Sequence, residues 1–141
     1  ALRPVAQDRG AAFLTSGRPA LALETGCDGT ALLDPAGYKA ARTLLGAGYI
    51  VGAWTGASRH DAMVAGEAGA DFVGLTADPE LIGWWAELFE VPCVAGGLVT
   101  AENARALAEA GADFLALGPA VWDDPDGPAA GVGKIAAALA K

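Results

Sequence analysis

Three stretches decide the fold: Glu24-Thr25-Gly26-Cys27-Asp28-Gly29, Glu67-Ala68-Gly69-Ala70-Asp71-Phe72 and Glu109-Ala110-Gly111-Ala112-Asp113-Phe114. In each, a helix-like run ends at a glycine, a small residue and an aspartate follow, and an apolar run begins. The glycine can take the left-handed conformation that closes a helix, and the run behind it has the length and apolar density of a buried strand. Each stretch is therefore a helix-to-strand junction. The glycines stand 43 and 42 residues apart, and two further strand-like runs, Tyr49 to Trp54 and Val91 to Gly96, fall midway. One strand and one helix recur about every 21 residues, the rhythm of a parallel sheet built from βα units.

Outward from the junctions, the chain reads as six such units in one domain spanning residues 1–141. Ala11 to Thr15 is a short buried strand, and a helix opened by Arg18 and Pro19 runs through Glu24. Cys27 to Leu33 is the second strand. Asp34-Pro35 then starts a helix, the aspartate as cap and the proline at the first position. That helix carries Tyr38, Ala41, Leu44 and Leu45 on one stripe. The third strand, Tyr49 to Trp54, leads to Ser58-Arg59-His60-Asp61, a capping box. Its helix places Ala62, Ala65, Gly66 and Gly69 on one face. Ala70 to Thr76 is the fourth strand; Asp78-Pro79 repeats the cap, ahead of an apolar stripe of Leu81, Ile82, Trp85, Leu88 and Phe89. Val91 to Gly96 is the fifth, after which Thr100 caps a helix with Ala101, Ala104, Leu107 and Ala108 facing inward. Ala112 to Gly118 is the sixth. Trp122 to Gly133 reads as a loop and Lys134 to Lys141 as a last helix.

The strands are apolar throughout rather than alternating, as expected where both faces are covered. A closed (β/α)8 barrel takes eight units and roughly 200 residues or more. Six units in 141 residues fit either an open α/β sheet or a barrel short of its first two units.

Composition narrows the partners. The net charge of −8 comes without a basic run, which argues against nucleic acid and anionic membrane, since both require concentrated positive surface. The longest uncharged run, Thr43 to Ser58, has 16 residues and is broken by glycines, so no membrane span is expected. No signal peptide is read at the start of the sequence. Cys27 and Cys93 lack CxxC spacing and lie in apolar surroundings, so buried free thiols are expected, with a reducing, cytoplasmic setting.

In either architecture, sites form at the carboxyl ends of the strands. The candidates are Thr15, Ser16 and Arg18; Asp34; Thr55, Ser58, Arg59 and His60; Thr76 and Asp78; Gly96, Gly97 and Thr100; and Gly118, Asp123 and Asp124. The strongest signal is in the last two units, where Val94-Ala95-Gly96-Gly97 and Leu117-Gly118-Pro119-Ala120 present glycine backbone before helix starts. Amides there can point at phosphate oxygens without side chains in the way. Tight turns alone are the competing explanation. Asp34, Asp78 and Asp123 could share a divalent cation, but the first two precede proline at helix starts, where capping explains them. His60 beside Arg59 could serve proton transfer or anion recognition, or be a solvated pair in a first helical turn. None of the three lysines lies on a strand, which disfavours a Schiff-base aldolase. Trp54 and Trp122 could stack on a ring or plug the core.

From Gly48 onward the sequence resembles thiamine phosphate synthase and its TenI-like relatives. The matching stretches are Ile50 to Trp54, Ser58-Arg59-His60 through Glu67 to Leu75, Val91 to Gly97, Thr100 to Ala104 and Ala110 to Leu117. Phe13-Leu14 with Arg18 and Leu21-Ala22, then Gly26 to Gly29, look like that family's third strand and the approach to its fourth. The resemblance implies a (β/α)8-type barrel of which this chain carries units three to eight. It implies a transferase of thiamine biosynthesis that handles phosphorylated small molecules with magnesium, for which Asp34 is the candidate ligand. It implies a product-phosphate site at Gly96, Gly97 and Gly118, and leaves Arg59 and His60 as catalytic candidates. The family's Gln-x-Arg-x-Lys pyrophosphate clamp has no counterpart here. Its His-Leu-Gly-Gln strand end is replaced by Ala31-Leu32-Leu33-Asp34, its threonine-lysine loop by Thr76-Ala77-Asp78-Pro79, and a fifth-strand serine by Trp54. Without the basic clamp a developing dianion lacks electrostatic stabilisation, so little or no synthase activity is expected from residues 1–141. The alternative function is a non-enzymatic scaffold or subunit, a homo-oligomer or a partner covering the edge beside Phe13 and Leu14.

Overall fold

Gly26, Gly69 and Gly111 take φ of 72°, 96° and 114°, the left-handed turn that ends a helix. The aspartate two residues after each then bonds back to the neighbouring strand. The Phe13 amide donates to Asp28 Oδ2 at 2.7 Å, the Val51 amide to Asp71 Oδ2 at 2.8 Å and the Cys93 amide to Asp113 Oδ2 at 2.9 Å. In return, the amides of Asp28, Asp71 and Asp113 donate to the carbonyls of Phe13, Val51 and Cys93. One side chain thus satisfies a backbone donor that the end of a strand ladder leaves open.

The computed structural model describes all 141 residues, which divide into two units, residues 1–73 and 74–141. The first holds α1 (Leu2–Gln7), β1 (Leu14–Ser16), α2 (Pro19–Thr25), β2 (Gly29–Leu32), a 3-10 turn (Pro35–Gly37), α3 (Tyr38–Leu45), β3 (Ile50–Gly56) and α4 (Arg59–Glu67). The second holds α5 (Pro79–Leu88), β5 (Cys93–Gly96), α6 (Ala104–Ala110), β6 (Phe114–Leu115), α7 (Pro119–Trp122) and α8 (Pro128–Ala140). β4 (Val73–Thr76) carries the boundary. In the first unit strand order follows the sequence, β1 to β3. β1 pairs with β2 and β2 with β3 in parallel, as β5 does with β6.

In the first unit, α3 buries Tyr38, Ala41 and Leu45. Leu44 is on the solvent side, because its neighbour Leu45 already takes the inward position. Arg42 fastens this helix. Its guanidinium donates to Tyr38 Oη (3.1 Å), Gly46 O (3.0 Å), Tyr49 O (2.7 Å) and Asp71 Oδ2 (2.6 Å). The helix end, the start of β3 and the next junction therefore meet at one side chain. Burial works against the Arg42 charge, but the hydrogen bonds to Tyr38 and Asp71 outweigh it and raise its pKa. On α4 only Ala62 and Ala65 are fully buried, Gly66 is half-buried, and Gly69 lies exposed in the turn beyond. β1 is half-buried to exposed rather than buried, since it is the outermost strand.

In the second unit, α5 buries Leu81, Ile82 and Trp85, and Trp85 stacks on Phe89 at 4.1 Å between ring centroids. The Trp85 indole donates to Val91 O at 2.8 Å, the polar partner a buried tryptophan needs. Leu88 projects to solvent. The sixth strand is shorter than its apolar run, two residues rather than Ala112 to Gly118. The segment Trp122 to Gly133 is not one loop. Pro119 and Pro128 each open a helix at the first position, where a missing N–H costs nothing. α6 begins at Ala104 rather than behind Thr100, and Ala104 and Leu107 are its buried residues, while Ala108 is exposed. Cys27 and Cys93 are free and buried, and burial pushes the Cys93 thiol pKa up.

Candidate functional site

In the first unit, the residues after β1 to β3 are engaged mainly in local structure. Thr15 Oγ1 donates to Arg18 O at 2.8 Å and meets Thr30 Oγ1 at 3.0 Å, closing the turn after β1. Asp34 Oδ1 accepts from the Ala36 amide at 2.9 Å and caps the 3-10 turn. Ser58 Oγ accepts from the Asp61 amide at 3.1 Å, one half of the expected capping box. The Ser58 amide goes to Thr55 O instead. Arg59 and His60 follow as the first two residues of α4, both exposed. Trp54 is half-buried within β3.

No group of three or more His, Cys, Asp or Glu side chains is brought together in a way that could hold a metal ion. Asp34, with Oδ1 turned to its cap, has no all-protein cage around it; a magnesium ion there would rest on this one carboxylate together with waters and substrate phosphate. Asp78 likewise caps α5, accepting from the Glu80 amide at 2.9 Å. Asp124 is held by Lys134, whose Nζ lies 2.7 Å from Oδ2 and 2.9 Å from Oδ1. That ammonium keeps the Asp124 carboxyl below its ordinary range. No helix is long and apolar enough to cross a membrane.

In the second unit, β5 ends at buried Gly96 and β6 lies beside it in parallel, with Val94 opposite Phe114 and Ala95 opposite Leu115. The loops after the two strands therefore emerge at the same end of the pair. Gly96 O accepts from the Ala77 amide at 2.9 Å, tying in the loop after β4. Gly97 is exposed with φ of 90°, a conformation that side chains disfavour. Beyond its Cα there is open space, and the same holds at Gly118, the residue that caps α7. The helices concerned are short, and α6 starts seven residues after Gly97, so loop amides rather than a helix dipole are what these positions offer.

One residue was visible in the sequence only as part of a matching stretch. Asn103 Oδ1 accepts from the Thr100 amide at 2.8 Å, and its Nδ2 donates to Leu98 O at 2.8 Å. It holds the Gly97 loop from both sides. An asparagine three residues after a threonine at a helix start is a local signal for such a clamp. Beside it, a hydrogen bond from Thr100 keeps the Glu102 carboxyl below its ordinary range.

Residues 1–121 match the family profile TMP-TENI, thiamine monophosphate synthase. This chain belongs to that family. Among relatives, it is 49% identical to the thiamine-phosphate synthase of Rhodospirillum centenum, over 93% of this chain and 70% of the relative. It is 41% identical to that of Hyphomonas neptunium, over 94% of this chain and 66% of the relative. The chain thus spans about two thirds of these thiamine-phosphate synthases. Among solved structures, thiamine phosphate pyrophosphorylase from Pyrococcus furiosus superposes with a TM-score of 0.86 at 24% identity, over 99% of this chain and 72% of that one. That likeness shows the fold: α/β of the (β/α)-barrel type, with six βα units of the thiamine monophosphate synthase family present here.

Proposed function

We propose that Gly96, Gly97 and Gly118 hold the phosphate of a phosphorylated small molecule, thiazole phosphate or its coupled product in the chemistry of this family. The observation that carries the reading is the pair of open glycine Cα faces, Gly97 and Gly118, at the same end of the adjacent parallel strands β5 and β6. An oxyanion can approach backbone there without meeting a Cβ. No lysine or arginine lies between Gly96 and Gly118 except Arg105, which is paired with Glu109 at 2.6 Å. What residues 96–118 themselves offer an anion is therefore neutral N–H donors, against a net charge of −8. For inorganic phosphate a Kd on the order of 1 mM follows from a few such bonds.

Residues 1–141 alone carry little or no synthase activity in this reading. The stretch contains no Gln-x-Arg-x-Lys clamp, and no all-protein metal cage surrounds Asp34. Calorimetric titration with thiazole phosphate tests the site. Saturable binding that Gly97→Asp abolishes supports it; no binding, or equal binding by the variant, ends it. Product formation by residues 1–141 from the two family substrates would overturn the second half.

A further inference from the structure

We infer that Asn103 is a positioning residue for the anion site: it fixes the backbone of the loop from Gly97 to Thr100 in the conformation that presents Gly97 to a ligand. The inference rests on the phosphate reading above and adds the residue on which that site's geometry depends. Two main-chain groups flank Val99 in this loop, the carbonyl of Leu98 and the amide of Thr100, and the Asn103 carboxamide takes both at 2.8 Å. Val99 itself is buried, but Leu98 is 72% exposed and anchors nothing. Beside the buried Val99 and the backbone bond from the Ala104 amide to Thr100 O, this side chain is the loop's tie to α6.

The clamp stands on a fixed base. Ala104 and Leu107 of α6 are fully buried. The Ala104 amide donates to Thr100 O and the Leu107 amide to Asn103 O, so the first turn of the helix locks the Asn103 backbone. The task also selects the residue type. An asparagine offers an acceptor and a donor at one carbon; aspartate has no donor for the Leu98 carbonyl, and serine cannot reach both groups. With neutral donors at the site, affinity depends on the loop being set before the ligand arrives, because ordering it on binding subtracts from a small total.

Asn103→Ala and Asn103→Ser separate this role from a general loss of stability. The Kd of inorganic phosphate should rise about tenfold in Asn103→Ala and less in Asn103→Ser, which retains one acceptor. In parallel, the Gly97 and Thr100 amides should exchange with solvent about tenfold faster in the alanine variant, while β5 and β6 amides are unchanged. Equal phosphate affinity in wild type and Asn103→Ala overturns the inference and leaves the phosphate site standing. Absence of phosphate binding by the wild type overturns both. Uniformly faster exchange throughout the second unit also counts against it, since that marks a structural role.

Discussion

Asp71 and Val51 hold each other twice, through an amide-to-carboxylate bond of 2.8 Å in one direction and an amide-to-carbonyl bond of 2.9 Å in the other. The same doubled link joins Asp28 to Phe13 and Asp113 to Cys93. The repeat seen in the sequence is thus a repeated bond, placed at the start of a strand rather than at its carboxyl end. Its chemistry is register and stability, not catalysis.

Removing the carboxylate leaves a strand-end amide without its partner. Asp113→Ala should cost about 1–3 kcal/mol, the range for stranding a hydrogen-bonding group, and Asp113→Asn less, because the amide oxygen still accepts. Urea denaturation of the two variants measures this. Equal stability of Asp113→Ala and wild type would remove the structural reading of the junction.

Acid should weaken the link at Asp28. The Phe13 amide, then the Gln7 side chain and the Arg3 charge, hold its carboxyl below the ordinary value of 3.8. A carboxyl whose folded pKa is depressed contributes stability above the unfolded value, and loses it as pH falls through the folded one. The wild type should therefore lose more stability below pH 3.8 than Asp28→Asn. Parallel pH profiles for the two proteins would be the contrary result.

Two glycines should respond oppositely to a methyl group. At Gly29 an added Cβ falls on the Ile50 carbonyl, where β2 and β3 pair, so Gly29→Ala should destabilise by about 3 kcal/mol or fail to fold. At Gly118 the Cβ meets nothing, so Gly118→Ala should lose far less stability than Gly29→Ala. The second variant is then a folded protein in which an anion meets a side chain at the proposed site. Thermal melts followed by circular dichroism distinguish the two cases.

The parts legible in the sequence are those set by neighbours in the chain. Asp34, Ser58 and Asp78 cap the elements they precede, as their spacing to Pro35, Asp61 and Pro79 implies. The six βα units follow from the glycine-aspartate repeat. What the junction aspartates bond to was not legible, because their partners lie 15 to 20 residues upstream on another strand. The second, fourth and sixth strands are shorter than their apolar runs, since those runs include the residues of the junction. The first turns of α8 were hidden by Asp, Pro and Gly composition, although Pro128 carried a start signal. At the candidate site the glycines were visible, but the two bonds by which Asn103 holds the loop were not, since they depend on where its carboxamide turns.

The central claim is that the loops after β5 and β6 bind phosphate together. Titrating inorganic phosphate into 15N-labelled protein and following the amide resonances tests it most directly. Saturable shifts should concentrate at Gly97, Leu98 and Gly118 with one shared Kd, and disappear in Gly97→Asp. Shifts that do not saturate, or that centre on the exposed pair Arg59 and His60 while Gly97 and Gly118 stay still, would contradict it.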